Sequence, residues 1–165
     1  MIVVDANFLV LMFDPTAMPH VPRGTERGEH FIRELSEKGE QVMIPVPVLA
    51  EVVAGRIERT QEIISELRRQ RAFVVQPFDD VIAIETGYLI RSAFDRMPVS
   101  QKPSGWRVAM KYDAQIAATA IVRRARAIVS GDGGFSVYLD GSGIELIELK
   151  DLPLPPENPQ GSLSL

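Results

Sequence analysis

The sequence predicts an α/β protein, a three-layer α/β/α sandwich around a mostly parallel sheet, and three observations carry that expectation. Short runs rich in Val and Ile recur along the chain, separated by stretches with helical spacing, which is the pattern of βαβ units. The runs mostly do not alternate apolar with polar, as expected of strands buried on both faces. Four acidic residues, Asp5, Glu51, Asp113 and Asp132, each fall where an apolar run gives way to a loop or helix. In parallel sheets ligands gather at the carboxyl ends of strands.

The strands are read as Ile2 to Val4, Gln41 to Ile44, Phe73 to Gln76, Ala127 to Val129 and Ile144 to Glu148. Between the first two, Glu26 to Lys38 is helical, with Phe31, Ile32 and Leu35 at helical spacing and Gly39 as its stop. Val46 to Ala54 forms a short helix that tolerates Pro47 in its first turn. Thr60 is the expected cap of a helix over Gln61 to Arg71. Asp79 or Asp80 caps the next, whose Val81, Ile84, Tyr88 and Leu89 are expected on one apolar face. Asp113 to Arg124 carries a stripe of Ile116, Ala117, Ala120 and Ile121 suited to close packing on a sheet. Asp14 to Thr25 and Met97 to Trp106 read as irregular, with their prolines and glycines.

At 165 residues and 18.3 kDa the chain is expected to fold as one domain, burying about two thirds of its unfolded surface. Residues 1–150 are expected to form that domain and 151–165 a proline-rich tail. Apolar content of 45% and charged content of 24% suit an ordinary globular protein. There is no cysteine, hence neither disulfide nor thiolate metal site. Met1 runs directly into a strand, and no apolar run approaches the roughly 20 residues that span a bilayer. A soluble, cytoplasmic protein is expected. The net charge of −4 argues against broad nonspecific nucleic-acid binding but leaves room for a nucleic-acid substrate reached through metal and local arginines.

Gathering four carboxylates is most simply explained by a divalent cation, because hard ions such as Mg²⁺ take oxygen ligands and keep part of their water shell. Other chemistries lack their residues. His20 and His30 have no ligand-like spacing, and there is no HExxH, Walker glycine loop or nucleophile elbow. Each acid alone has a bland reading: Asp5 as a strand-end cap, Asp113 and Asp132 as N-caps, Glu51 as a helix glutamate. Glu51, flanked by Val48, Leu49, Val52 and Val53, is expected to be buried and therefore to need a partner. Asn7 can hold a carboxylate through its amide, and Ser130 can donate to Asp132 or to a phosphate oxygen. Gly131, Gly133 and Gly134 are expected to let the backbone turn sharply, and Phe135 to anchor the core. Lys111 stands near Asp113, as a phosphate contact or a solvated charge. The arginines around Arg68 to Arg71 and Arg123 to Arg126 are read as helix-end charges before any role as an RNA rail.

In their contexts, Ile2-Val-Val-Asp-Ala-Asn, Pro47-Val-Leu-Ala-Glu, Asp113-Ala-Gln-Ile-Ala-Ala and Val129-Ser-Gly-Asp-Gly-Gly-Phe135, the four acids in this order resemble the PIN-domain ribonucleases, from Met1 to about Leu149. The resemblance implies that Asp5, Glu51, Asp113 and Asp132 are the acidic catalytic and metal positions, with Asn7 and Ser130 supporting them. It further implies one or two Mg²⁺ or Mn²⁺ ions that activate a water against an RNA phosphodiester. Small stand-alone members are commonly VapC-type toxins, which implies an antitoxin partner and a homodimer. The segment from Met97 to Trp106 and the tail depart from that pattern. Two rival readings are a metal-dependent phosphatase, against which Asn7 stands where a second Asp would be wanted, and a non-catalytic PIN-fold module that binds RNA or protein.

Overall fold

The structure, a computed structural model, describes residues 1–96 and 106–156, except for the side chains of Pro15 and of residues 106–110. Of the predicted irregular segment Met97 to Trp106, residues 97–105 lie outside the described residues and Trp106 is helical, and of the predicted tail 151–165, residues 157–165 lie outside them. Five strands, β1 (Ile2–Val4), β2 (Val42–Pro45), β3 (Phe73–Gln76), β4 (Ala127–Ser130) and β5 (Glu145–Glu148), form one parallel sheet in the order β3-β2-β1-β4-β5. Val4 pairs with Val129 and Ile44 with Val75. The chain builds outward from β1 to one side and then returns to place β4 on the other. The switch point therefore lies between β1 and β4, where α/β sheets open a crevice at their carboxyl ends.

Seven α-helices accompany the sheet among the described residues: α1 (Ala6–Phe13), α2 (Gly24–Glu37), α3 (Val46–Gly55), α4 (Thr60–Arg69), α5 (Asp80–Arg96), α6 (Trp106–Val122) and α7 (Ser136–Leu139). They make the expected α/β/α sandwich. β1, β2 and β4 are buried along their whole length, as non-alternating Val/Ile runs require. Ala114, Ala117, Ala118 and Ala120 are buried on α6, which packs against β1, β2 and β4. Leu152 also lies in the core, and its carbonyl accepts a hydrogen bond from Arg27 of α2.

Local chemistry sets the helix ends. Gly39, at φ +66°, ends α2 as expected, with Glu40 N–H donating to the Leu35 carbonyl (2.8 Å) and Gly39 N–H to that of Ser36 (3.1 Å). Asp79 caps α5 by accepting from Ile82 N–H at 3.0 Å. Thr60 does not cap α4; it is the first helical residue, and its hydroxyl donates back to the Ile57 carbonyl at 2.7 Å.

Three further expectations are corrected. The segment after Asp5 is a helix, α1, which the sequence reading passed over because Ala6–Phe13 is apolar nearly throughout. α6 begins at Trp106, seven residues before Asp113, so Asp113 is a mid-helix side chain and not a cap. On α5 the buried residues are Ile82, Thr86, Leu89 and Ala93, while Val81, Ile84 and Tyr88 stand 53%, 61% and 68% exposed. Only Leu89 of the predicted face enters the core. Among the described residues no helix is long and apolar enough to cross a membrane.

Candidate active site

Asp5 closes β1 and opens α1, and both roles fix its carboxylate. Its N–H donates to the Val129 carbonyl at 3.1 Å, which ties it to β4. As N-cap of α1 it accepts from Phe8 N–H on Oδ1 at 2.9 Å, while Oδ2 accepts from the Ser130 hydroxyl at 2.5 Å and from Asn7 Nδ2 at 3.3 Å. The Gly131 N–H adds a weaker pull that lowers the pKa of this carboxylate. Burial pushes the Asp5 pKa up, and these donors oppose the shift. Ser130 relays the order onward, because its oxygen accepts from Asp132 N–H at 2.8 Å. Asp132 in turn caps the short 3₁₀ turn Gly133–Phe135 through Gly134 N–H at 2.9 Å. The hydroxyl of Ser130 thus donates to Asp5, where the sequence suggested Asp132 or a phosphate.

The other two acids arrive from helices. Asp113 projects half-buried from α6, and its pKa is raised to about 6, first by burial and then by the charges of Asp132, Asp5 and Glu51. Glu51 sits on α3 and is exposed, not buried, because α3 turns Val48 and Val52 inward instead. All four carboxylates meet in one small cleft of about 110 Å³, lined also by Ala6, Asn7, Ile116 and Phe135. Phe135 is buried as a core anchor. One neighbour escaped the sequence reading: Tyr138 of α7 is buried, and burial together with the Asp113 charge lifts its hydroxyl pKa to about 12. Its position three residues after Phe135, on the same helical side, was the available signal.

The remaining candidates lie elsewhere. Lys111 is exposed. His20 is exposed, and His30 is half-buried beside Glu34 (3.5 Å) rather than fully solvated. Arg123 pairs with Asp79, Arg126 with Glu40 and Arg69 with Glu66, which supports the structural reading of those arginines.

The donor set suits a hard cation: four carboxylates, a side-chain amide, and neither His nor Cys on the cleft wall. Among the described residues no three such side chains already converge on a single ion position. Yet three carboxylates raise the pKa of the fourth, so the cleft holds negative charge that its own donors leave uncompensated. That uncompensated charge fits a hard divalent cation, which Asp5, Glu51, Asp113 and Asp132 would hold.

Sheet and cleft together define an α/β protein with an acidic site at the switch point of a parallel sheet. The chain belongs to the PIN-domain family, whose model matches residues 2–138. Two solved structures are similar in fold. One is VapBC2 from Rickettsia felis bound to a DNA fragment from their promoter, 18% identical over 90% of this chain and 98% of that chain, with a TM-score of 0.62. The other is FitAB bound to an IR36 DNA fragment, 17% identical over 93% of this chain and 98% of that chain, with a TM-score of 0.63. No curated protein matches the sequence.

Proposed function

We propose that the protein is a metal-dependent ribonuclease whose cleft, bounded by Asp5, Glu51, Asp113 and Asp132, cuts RNA phosphodiester bonds. PIN domains are generally nucleases. The observation that carries the reading is the convergence of Asp5, Glu51, Asp113 and Asp132 on one cleft, where burial and the neighbouring carboxylates raise the Asp113 pKa to about 6 and a divalent cation would relieve the repulsion. One or two Mg²⁺ or Mn²⁺ ions would supply Lewis acidity at the phosphodiester and a water of lowered pKa. The chain's own residues do the rest. Phe8 N–H, Ser130 and Asn7 hold Asp5 in one orientation. Ser130 also fixes the backbone of Asp132. Asp113 sheds its proton near neutral pH and adds charge to the cleft.

The likeness to VapBC2 and FitAB supports reading this chain as the toxin of a cytoplasmic toxin–antitoxin pair. An antitoxin that presents a cation to the uncompensated cleft would find it complementary. A homodimer is supported by the exposed apolar residues Val81, Ile84 and Tyr88 of α5 and by Phe78 and Val75 before it. Such a surface suits an isologous contact.

The test is cleavage of a panel of structured and single-stranded RNAs with Mg²⁺ or Mn²⁺, comparing wild type with Asp113→Asn. Cleavage by wild type alone, removed by chelator, is expected. Phosphate-monoester hydrolysis without RNA cleavage would favour a phosphatase. Failure to bind metal at millimolar concentration, with no cleavage, would favour the non-catalytic module.

A further inference from the structure

Gly131 lies between two residues of the cleft network, Ser130 and Asp132, and the reason it is glycine is not conformational. Its φ is not positive; among the described glycines the positive values belong to Gly39, Gly141 and Gly143. Nor does core packing exclude a side chain, because Gly131 is exposed. What crowds one is Asn7: a Cβ added at 131 would lie 3.1 Å from Asn7 Cβ, 3.2 Å from Nδ2 and 3.3 Å from Cγ. Ordinary contact begins at 3.4 Å. At Gly133, two residues on in the same loop, an added Cβ meets nothing within 4 Å.

The contact at Asn7 Cβ matters most, because rotation about χ1 cannot move a Cβ. Relief must come from the backbone, either from the first turn of α1, which carries Asn7 beside Asp5, or from the loop that links Ser130 to Asp132. Either movement disturbs a carboxylate of the cleft. The Asn7 to Asp5 hydrogen bond is already long at 3.3 Å, so a shift of a few tenths of an ångström takes it out of range.

We propose that Gly131 is a positioning residue: its missing side chain lets the Asn7 amide stand against Asp5 and so sets how Asp5 faces the cleft. The proposal rests on the metal-site reading given above. It assigns Asn7 the orientation in which Nδ2 donates to Asp5 Oδ2. The amide oxygen is left as the group Asn7 can offer to a bound water or ion.

The experiment compares Gly131→Ala with Gly133→Ala by two readouts, the side-chain amide resonances of Asn7 in ion-free protein and the affinity for Mn²⁺. Gly131→Ala is expected to shift the Asn7 resonances and weaken Mn²⁺ binding by about tenfold, the scale of losses when a ligand's supporting partner is disturbed. Gly133→Ala is expected to change neither. On an Asn7→Gly background, which removes the obstructing atoms, Gly131→Ala should add no further loss. Unmoved Asn7 resonances in Gly131→Ala, or an equal added loss on the Asn7→Gly background, would overturn the proposal. If Gly131→Ala does not fold, recovery of folding in the double variant supports it and failure of the double overturns it. A wild type that binds no Mn²⁺ would defeat the metal-site reading instead, and the Asn7 resonances would still decide the positioning role.

Discussion

The two edges of the sheet treat a carboxylate in opposite ways. At the amino edge, Glu40 accepts from Arg126 Nε at 3.0 Å and from the Met1 ammonium at 2.9 Å, and these partners draw its pKa down to about 2. At the carboxyl edge, Asp113 faces Asp132, Asp5 and Glu51 and is pushed up to about 6. Glu40 has its counter-charges within the fold, whereas the charges that act on Asp113 among the described residues are like ones. The amino edge thus stabilises the chain by itself, and the carboxyl edge carries strain that an external cation can relieve.

The largest test of this contrast is Asp113→Asn, which should reduce RNA cleavage by about 10³-fold or more while making the ion-free fold more stable at pH 7. Asp113 keeps its proton to about pH 6 when folded, against an ordinary 3.8. The folded chain therefore binds more protons across that window, and stability falls as pH rises through it and stays lower above. Removing the charge should return on the order of 1 kcal/mol after discounting for solvent screening of a half-exposed group. Melting curves in chelator at pH 4 and pH 7 check this. A variant less stable than wild type at pH 7 would show that Asp113 is held by the fold and would break the contrast.

Next in size is Ser130→Ala. The hydroxyl is fully buried, and its loss leaves Asp5 Oδ2 short of a donor and Asp132 N–H without its acceptor. The expected cost is about 1 to 3 kcal/mol of stability, with a 10- to 100-fold loss of metal affinity, roughly the range for supporting partners. Denaturant midpoints and Mn²⁺ titration measure the two effects separately. Glu40→Gln should do the reverse at the amino edge, costing about 1 to 2 kcal/mol after allowance for screening and leaving cleavage unchanged. Because the folded pKa is depressed from 4.5 to about 2, that stability is present above pH 4.5 and is lost as pH falls toward 2. The difference between wild type and Glu40→Gln should close over the same range, read by denaturant titration. Reduced cleavage in Glu40→Gln would show that the two edges are coupled.

What the sequence made legible follows from which interactions are local. The strands were readable because burial on both faces leaves unbroken runs such as Ile2-Val-Val, and Asp5 and Asp132 because each closely follows such a run, whereas Glu51 and Asp113 stand within helices. α1 was not readable, since Asn7 is its only polar side chain and an apolar octapeptide carries no helical stripe. The face of α5 was misread because its apolar residues fall on two sides, and only tertiary packing chooses Ile82 over Ile84. The exposure of Glu51 is of the same kind: its apolar neighbours in sequence face the core without it. The Asn7 and Gly131 contact joins residues 124 positions apart, and no local pattern reports it.

The smallest predicted effect probes the amino edge again. α6 ends in the same hydrogen-bonded pattern as α2, with Ala125 N–H donating to the Ala120 carbonyl at 2.9 Å and Arg124 N–H to that of Ile121 at 3.0 Å. Here, however, the left-handed position is filled by Arg124 at φ +54°, where α2 has Gly39. A Cβ in that conformation costs about 1 kcal/mol that glycine does not incur, offset in part by the greater freedom glycine has when unfolded. Arg124→Gly should therefore raise stability by roughly 0.5 kcal/mol, seen as a small upward shift in denaturant midpoint with unchanged slope. Since Arg124 lies two residues before the Arg126 that pairs with Glu40, cleavage should stay at the wild-type rate. A gain in stability accompanied by lost cleavage would mean that the cleft depends on strain at the far edge of the sheet, and the separation of the two edges would fail.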